Sequence, residues 1–179
     1  GYDVDMAGLV LSLRERASSW RIGLHRADVA WDLGPVPSDF PFVSVMPGVG
    51  YYQVANALPG PGVPYIDKYE IYLLTLGAEI ALPHDFRLIG EYGRRRFTNA
   101  TTGPDTQAAY LALSKRIGRW TPYIYWSGIR SRDVSLDFIT ALNGTVIPEA
   151  VPGADAINGA QRAGADLLSP YDPVSYTHL

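Results

Sequence analysis

The stretch from Lys68 to Phe97 reads KYEIYLLTLGAEIALPHDFRLIGEYGRRRF, and its alternation decides the fold. Tyr72, Leu74, Leu76, Ala78 and Ile80 recur at every second position, which in a strand places them on one face. Pro83, His84 and Asp85 interrupt the pattern with a tight turn. Beyond it, Phe86, Leu88 and Tyr92 alternate with Arg87, Glu91 and Arg95.

The same period extends in both directions. Strands are expected at Tyr2–Arg14, Trp20–Trp31, Lys68–Leu82, Phe86–Phe97, Gln107–Ile117 and Trp120–Arg130. In the first, Leu9, Leu11 and Leu13 share a face opposite Val10, Ser12 and Arg14. Two long segments separate them. Asp32–Asp67 is too rich in proline and glycine for a regular element of any length, and Ser131–Asp172 is irregular apart from a weak helix within Ala154–Leu168.

Connections between the strands run short, long, short, intermediate, short, long. Transmembrane barrels have short turns on the periplasmic side and longer loops outside, whereas a soluble meander has no reason to alternate in this way. Strands of about 11 to 15 residues also exceed the roughly 5 to 6 of globular sheets and suit a tilted bilayer crossing. The expected fold is therefore all-β: an antiparallel up-and-down meander of about six long strands, part of a larger transmembrane barrel and open as a fragment.

Composition agrees. Hydrophobic residues make up 47% of the 179, yet mean hydropathy is near zero, so the apolar residues are dispersed among polar ones. No run approaches the roughly 18 apolar residues of a membrane helix. The chain has twelve tyrosines and four tryptophans, and a subset of its aromatics falls toward strand ends. Trp20, Phe86, Trp120 and Tyr123 lie beside short turns, and Tyr72 and Tyr92 toward the loop ends, as two aromatic girdles at the membrane interfaces would require. The absence of cysteine excludes disulfides and thiolate metal sites. A net charge of −3 gives no reason to expect nucleic acid as a partner.

The run Tyr110-Leu-Ala-Leu-Ser-Lys-Arg-Ile-Gly-Arg-Trp-Thr-Pro-Tyr123 resembles a recurring segment of a porin-like outer-membrane family of Gram-negative proteobacteria. In that family a tyrosine-bearing strand leads into Arg-aromatic-Gly-Arg-aromatic-Thr-Pro-Tyr at a periplasmic turn. Arg87-Leu-Ile-Gly-Glu-Tyr-Gly-Arg-Arg-Arg96 resembles its preceding strand, and Trp20-Arg-Ile-Gly-Leu-His25 its Trp-Thr-Leu-Arg strand. Ile117 departs from it where an aromatic is usual. The resemblance implies a larger barrel in the outer membrane, with strands on both sides of residues 1–173. Residues 174–179, Val174-Ser-Tyr-Thr-His-Leu179, match the translated end of a transposon used to prepare sequencing libraries and are read as a non-native tail.

Charge on a lipid-facing position costs roughly 2–4 kcal/mol for Arg or Lys at the midplane, so the charged alternation is assigned to the pore. Candidate pore-lining residues are Arg21, His25, Glu79, Arg87, Glu91, Arg95, Tyr110 and Arg116. Any of these can equally brace the wall by pairing across strands. Arg94 alternates onto the opposite face, near a loop end where it could meet lipopolysaccharide phosphates. His25, His84 and His178 have no metal-ligand spacing, and no catalytic signature occurs, so neither metal, cofactor nor enzymatic activity is expected. The expected function is passive diffusion of small hydrophilic solutes or ions, with outer-membrane lipid and lipopolysaccharide as surroundings and a homo-oligomer allowed. The alternatives are a barrel enzyme of the outer membrane and a soluble ligand-binding barrel.

Overall fold

Period-two alternation over a dozen residues leaves the backbone one way to satisfy its donors and acceptors, which is to pair with a neighbouring strand. The computed structural model describes residues 1–131, 134–168 and 174–178. In chain order its strands are β1 (Tyr2–Glu15), β2 (Ser18–Trp31), β3 (Val36–Pro37), β4 (Phe42–Met46), β5 (Val49–Tyr52), β6 (Tyr65–Ile66), β7 (Lys68–Ala81), β8 (Phe86–Phe97), β9 (Thr106–Lys115) and β10 (Tyr123–Ser131). Helices α1 (Val134–Gly144) and α2 (Ala154–Leu168) follow, then β11 (Val174–His178).

The six long strands β1, β2, β7, β8, β9 and β10 pair antiparallel in that order, as the alternation predicts. The sheet is open: among the described residues nothing pairs with the outer edge of β1. Val174–His178 lies on the far edge, with Val174 opposite Ile129 and His178 opposite Tyr125. A free edge accepts extended chain through backbone groups alone, so this pairing is indifferent to side chains. Leu179 lies outside the described residues.

The short turns are tight. Arg16 (φ 51°), His84 (φ 61°) and Asp85 (φ 62°) all take left-handed backbone, a strain accepted to reverse the chain in so few residues. Asp85 also joins two hairpins, its carbonyl accepting from the Arg116 amide at 3.0 Å and its carboxylate from the Arg116 guanidinium at 3.1 Å.

The boundary furthest from expectation is that of β10, which begins at Tyr123 rather than Trp120. Pro122 has no amide to donate. Lys115 donates to its carbonyl at 3.1 Å, and a bridge between Ile117 and Trp120 closes the turn.

The two irregular segments are more ordered than their composition suggests. Asp32–Asp67 contains the hairpin β4–β5 and the pair β3–β6. Within Ser131–Asp172, α2 fills all of 154–168 despite two glycines, and α1 precedes it. Gly164 explains part of this, since a Cβ there would sit 3.1 Å from the side chain of Val54. Its absence lets the helix approach the segment after β5, and packing outweighs propensity. Together these segments form a cap with its own core of Tyr51, Ile147, Ala154 and Ile157, against which Val43, Val49, Leu58 and Val151 pack. Burial pushes the Tyr51 hydroxyl above its ordinary pKa, and that hydroxyl donates to the Pro59 carbonyl. No apolar side chain of the six long strands is buried.

Candidate pore-lining face

Antiparallel register sets directly paired residues on the same face, so the pairing sorts every strand position. One face carries Leu9, Leu11 and Leu13 of β1, then Trp20, Ile22 and Leu24 of β2, which pair with Ala78, Leu76 and Leu74 of β7. The band continues through Leu88 and Tyr92 of β8, Ala109, Leu111 and Leu113 of β9, and Ile124 and Trp126 of β10. On β7 it runs from Leu74 to Ile80, about 20 Å at roughly 3.4 Å per residue. Leu9, Leu11, Leu13, Ile22, Leu24, Leu76, Leu111 and Ile124 are each more than two-fifths exposed.

The other face is polar over the same span. A continuous row crosses it as Ser12, Arg21, Gly77, Glu91, Tyr110 and Ser127. Arg21 donates to Glu91 at 2.8 Å, reaching over Gly77 from two strands away. One row toward the short turns, Arg87 pairs with Glu79. Both pairs are about half-exposed, where such a pair contributes about 0.2–1 kcal/mol. Two grooves open on this face. One of about 650 Å³ is lined by Ser12, Arg21, Gly77, Glu91 and Tyr110. The other, about 420 Å³, lies toward the loops against Thr75, Gly93, Ala108, Tyr110 and Ser127. Small residues make the room. A Cβ at Gly8 or Gly23 would collide with the His25 ring, which lies over both positions.

Seven of the eight expected lining residues share this face: Arg21, His25, Glu79, Arg87, Glu91, Arg95 and Tyr110. Arg116 does not belong with them, because β9 ends at Lys115 and Arg116 binds Asp85 in the turn. Of the aromatics, Trp20 and Phe86 sit at the short-turn margin of the apolar band, and Tyr72 and Tyr92 at its loop margin. Trp120 lies in the turn, and Tyr123 pairs with Ser114 on the polar face, its ring 6.2 Å from that of Tyr125. Selection by charge left out Thr75 and Ser127, neutral residues of the same face, although strand parity alone would have found them.

Toward the loops the two faces exchange character. Beyond the apolar band the same side carries Asp5, Arg26, Asp28, Glu70, Lys68, Arg94 and Arg96. Lys68 pairs with Asp28 at 2.8 Å, and Arg26 with Glu70 at 3.4 Å. The opposite side turns apolar at the same level, through Val4, Met6, Ala27, Val29, Tyr69, Ile71, Leu73 and Phe97. The cap is fastened there. The Tyr69 hydroxyl lies 3.4 Å from the Pro37 carbonyl and 3.3 Å from the Thr102 hydroxyl, and Thr101 donates to Ser38 at 2.8 Å.

Among the described residues no cluster of acidic or histidine side chains could hold a metal ion. Among the described residues no helix is long and apolar enough to cross a membrane, which says nothing of a crossing by strands. No protein-family model, no curated protein and no solved structure matches the chain.

Proposed function

We propose that the chain is a wall segment of a porin-like barrel in the outer membrane of a Gram-negative bacterium, through which small hydrophilic solutes or ions diffuse passively. One observation carries this reading: the long-stranded sheet buries no apolar side chain of its own, yet displays a band of leucines on one face and grooved polar surface on the other. In water such a band would be an association hazard. In lipid it is what a barrel exterior must be, because only closed β-structure or helices satisfy the backbone there. The charged girdle beyond the band suits the aqueous side of a headgroup region, with Arg94 and Arg96 as candidates for lipopolysaccharide phosphates. Further strands, from the same chain or from neighbouring copies, would close the open edges. The reading assigns no catalysis and no cofactor to the face.

The experiment begins by sequencing an unfragmented template across the codon for Asp172. Reading through into further alternating strands is expected, with residues 174–179 replaced by native sequence. The complete product, refolded into detergent and then planar bilayers, should give discrete conductance steps. A chain that stays monomeric and fully folded in detergent-free buffer would overturn the proposal.

A further inference from the structure

Polar groups on the lining face are unevenly matched. Its long strands carry Arg14, Arg21, Arg87 and Arg95 against Glu79 and Glu91. Both glutamates are engaged, by Arg87 and Arg21, which leaves Arg14 at the short-turn end and Arg95 alone at the loop end. Arg95 has no ion-pair partner among the described residues, and its Nε is buried without a hydrogen-bond partner. Its guanidinium instead stands 5.5 Å from the centre of the Phe97 ring.

The position of Arg95 matters as much as its charge. It pairs with Leu73 in the last row before the face turns apolar, and Ile71, Ala27 and Met6 occupy the row beyond, beside Phe97. On the other side of Arg95, Gly93 and Ala108 open the smaller groove. A solute entering from the cap side therefore meets an apolar wall first, then one cation without an ion-pair partner among the described residues, then polar surface.

We infer that this level of the pore binds small hydrophobic monocarboxylates, with the carboxylate on Arg95 and the apolar body against Leu73, Ile71 and Ala27. The inference rests on the pore reading. A single under-partnered guanidinium matches one carboxylate, to which it offers paired donors. A doubly charged anion would have to surrender hydration against Ile71 and Leu73 with no second cation to receive it. A neutral apolar solute would leave Arg95 as it is, and a small hydrophilic anion would gain nothing from the wall. The three consecutive arginines supply an internal control, since Arg94 and Arg96 project from the opposite face.

The test uses the complete protein in planar bilayers in potassium chloride, with benzoate, acetate or benzyl alcohol added on the cap side. Benzoate should reduce chloride current saturably, at a half-blocking concentration at least tenfold below that of acetate, and benzyl alcohol should have no effect. Arg95→Gln should raise the benzoate value tenfold or more, whereas Arg94→Gln and Arg96→Gln should change it less than twofold. Ile71→Asn should narrow the gap between benzoate and acetate while leaving acetate unchanged. Equal potency of benzoate and acetate, or an Arg95→Gln channel that conducts and is blocked as before, would overturn the inference and leave the pore reading intact. Absence of any conductance from the complete protein would overturn both.

Discussion

Leu13 in the sheet is 64% exposed, whereas Leu142 in the cap is 1% exposed. The same side chain meets opposite fates because the two regions are organised differently. The cap collapses around Tyr51, Ile147 and Ile157 and satisfies its buried polar groups internally. Gln161 accepts from the Tyr52 amide at 2.9 Å, and Asn158 exchanges two 2.8 Å hydrogen bonds with the backbone of Ile147. The sheet is joined by its backbone ladder and a few half-exposed ion pairs, and none of the apolar side chains on its long strands is buried. A fold of the first kind is driven by water. One of the second kind gains little from water, because exposed leucines contribute nothing to stability until something removes them from it.

The largest effect should come from the cap. Tyr51→Ala removes a buried aromatic and its hydrogen bond, and truncations of large aromatics cost about 3–5 kcal/mol. Hydrogen exchange should show lost protection across residues 134–168 with the amides of β2, β7 and β8 unchanged. Parallel loss in the sheet would mean that cap and sheet unfold as one unit, and the contrast between them would fail. Next comes a pair of adjacent substitutions in β9. Leu111→Arg places charge in the middle of the apolar band and, on the barrel reading proposed above, should destabilise the protein in lipid by about 2–4 kcal/mol. Tyr110→Arg, one residue away on the polar face beside Glu91, should cost less than about 1 kcal/mol by comparison with exposed pairs. Urea titration of the protein refolded in lipid vesicles measures both. Equal costs would mean that the two faces do not meet different solvents.

How much of this was legible in the sequence divides along the same line. The bounds of β8 were readable to the residue because two-residue alternation and a flanking turn are local signals. The common face of Arg21, His25, Glu79, Arg87, Glu91, Arg95 and Tyr110 agrees with their parity along the strands, and Arg116 lies outside it because β9 stops one residue before it. The cap was only half legible: the Tyr51-Tyr52 pair and the prolines of Asp32–Asp67 suit an ordered lid over the mouth, but nothing local decides between that and a constriction folded into the pore. Its order depends on contacts such as Gln161 with Tyr52, 109 residues apart, and Gly164 against Val54. Proline and glycine content marked these segments as irregular, and local propensity has no access to partners so distant. The exchange of polarity between the faces near the loops was present in the letters but needed the register between strands to be seen.

Gln161→Ala should rank third. It leaves the Tyr52 amide without its acceptor, and an unsatisfied buried donor costs about 1–3 kcal/mol. Replacement by Glu keeps an acceptor but introduces charge into a site that is 2% exposed, so it should destabilise at least as much. Thermal denaturation followed by near-ultraviolet circular dichroism, which reads the aromatics around Tyr51 and Tyr52, measures the difference.

The smallest effect concerns Arg21 and Glu91, and it asks how wet the polar face is. Arg21→Ala and Glu91→Ala should each cost about 1 kcal/mol or less, and their double-mutant coupling should stay near the 0.2–1 kcal/mol of exposed pairs. That expectation follows from side chains 53% and 46% exposed, where water screens the attraction between them. A low-dielectric surrounding would change both numbers, because removing one partner of a desolvated pair strands the other charge at a cost of about 3–5 kcal/mol. Coupling of that size would place Arg21 and Glu91 in a dry interior, as in a barrel packed shut by side chains. Weak coupling that falls further as salt is raised would keep them beside water, on a surface with solvent enough for solutes to move along it.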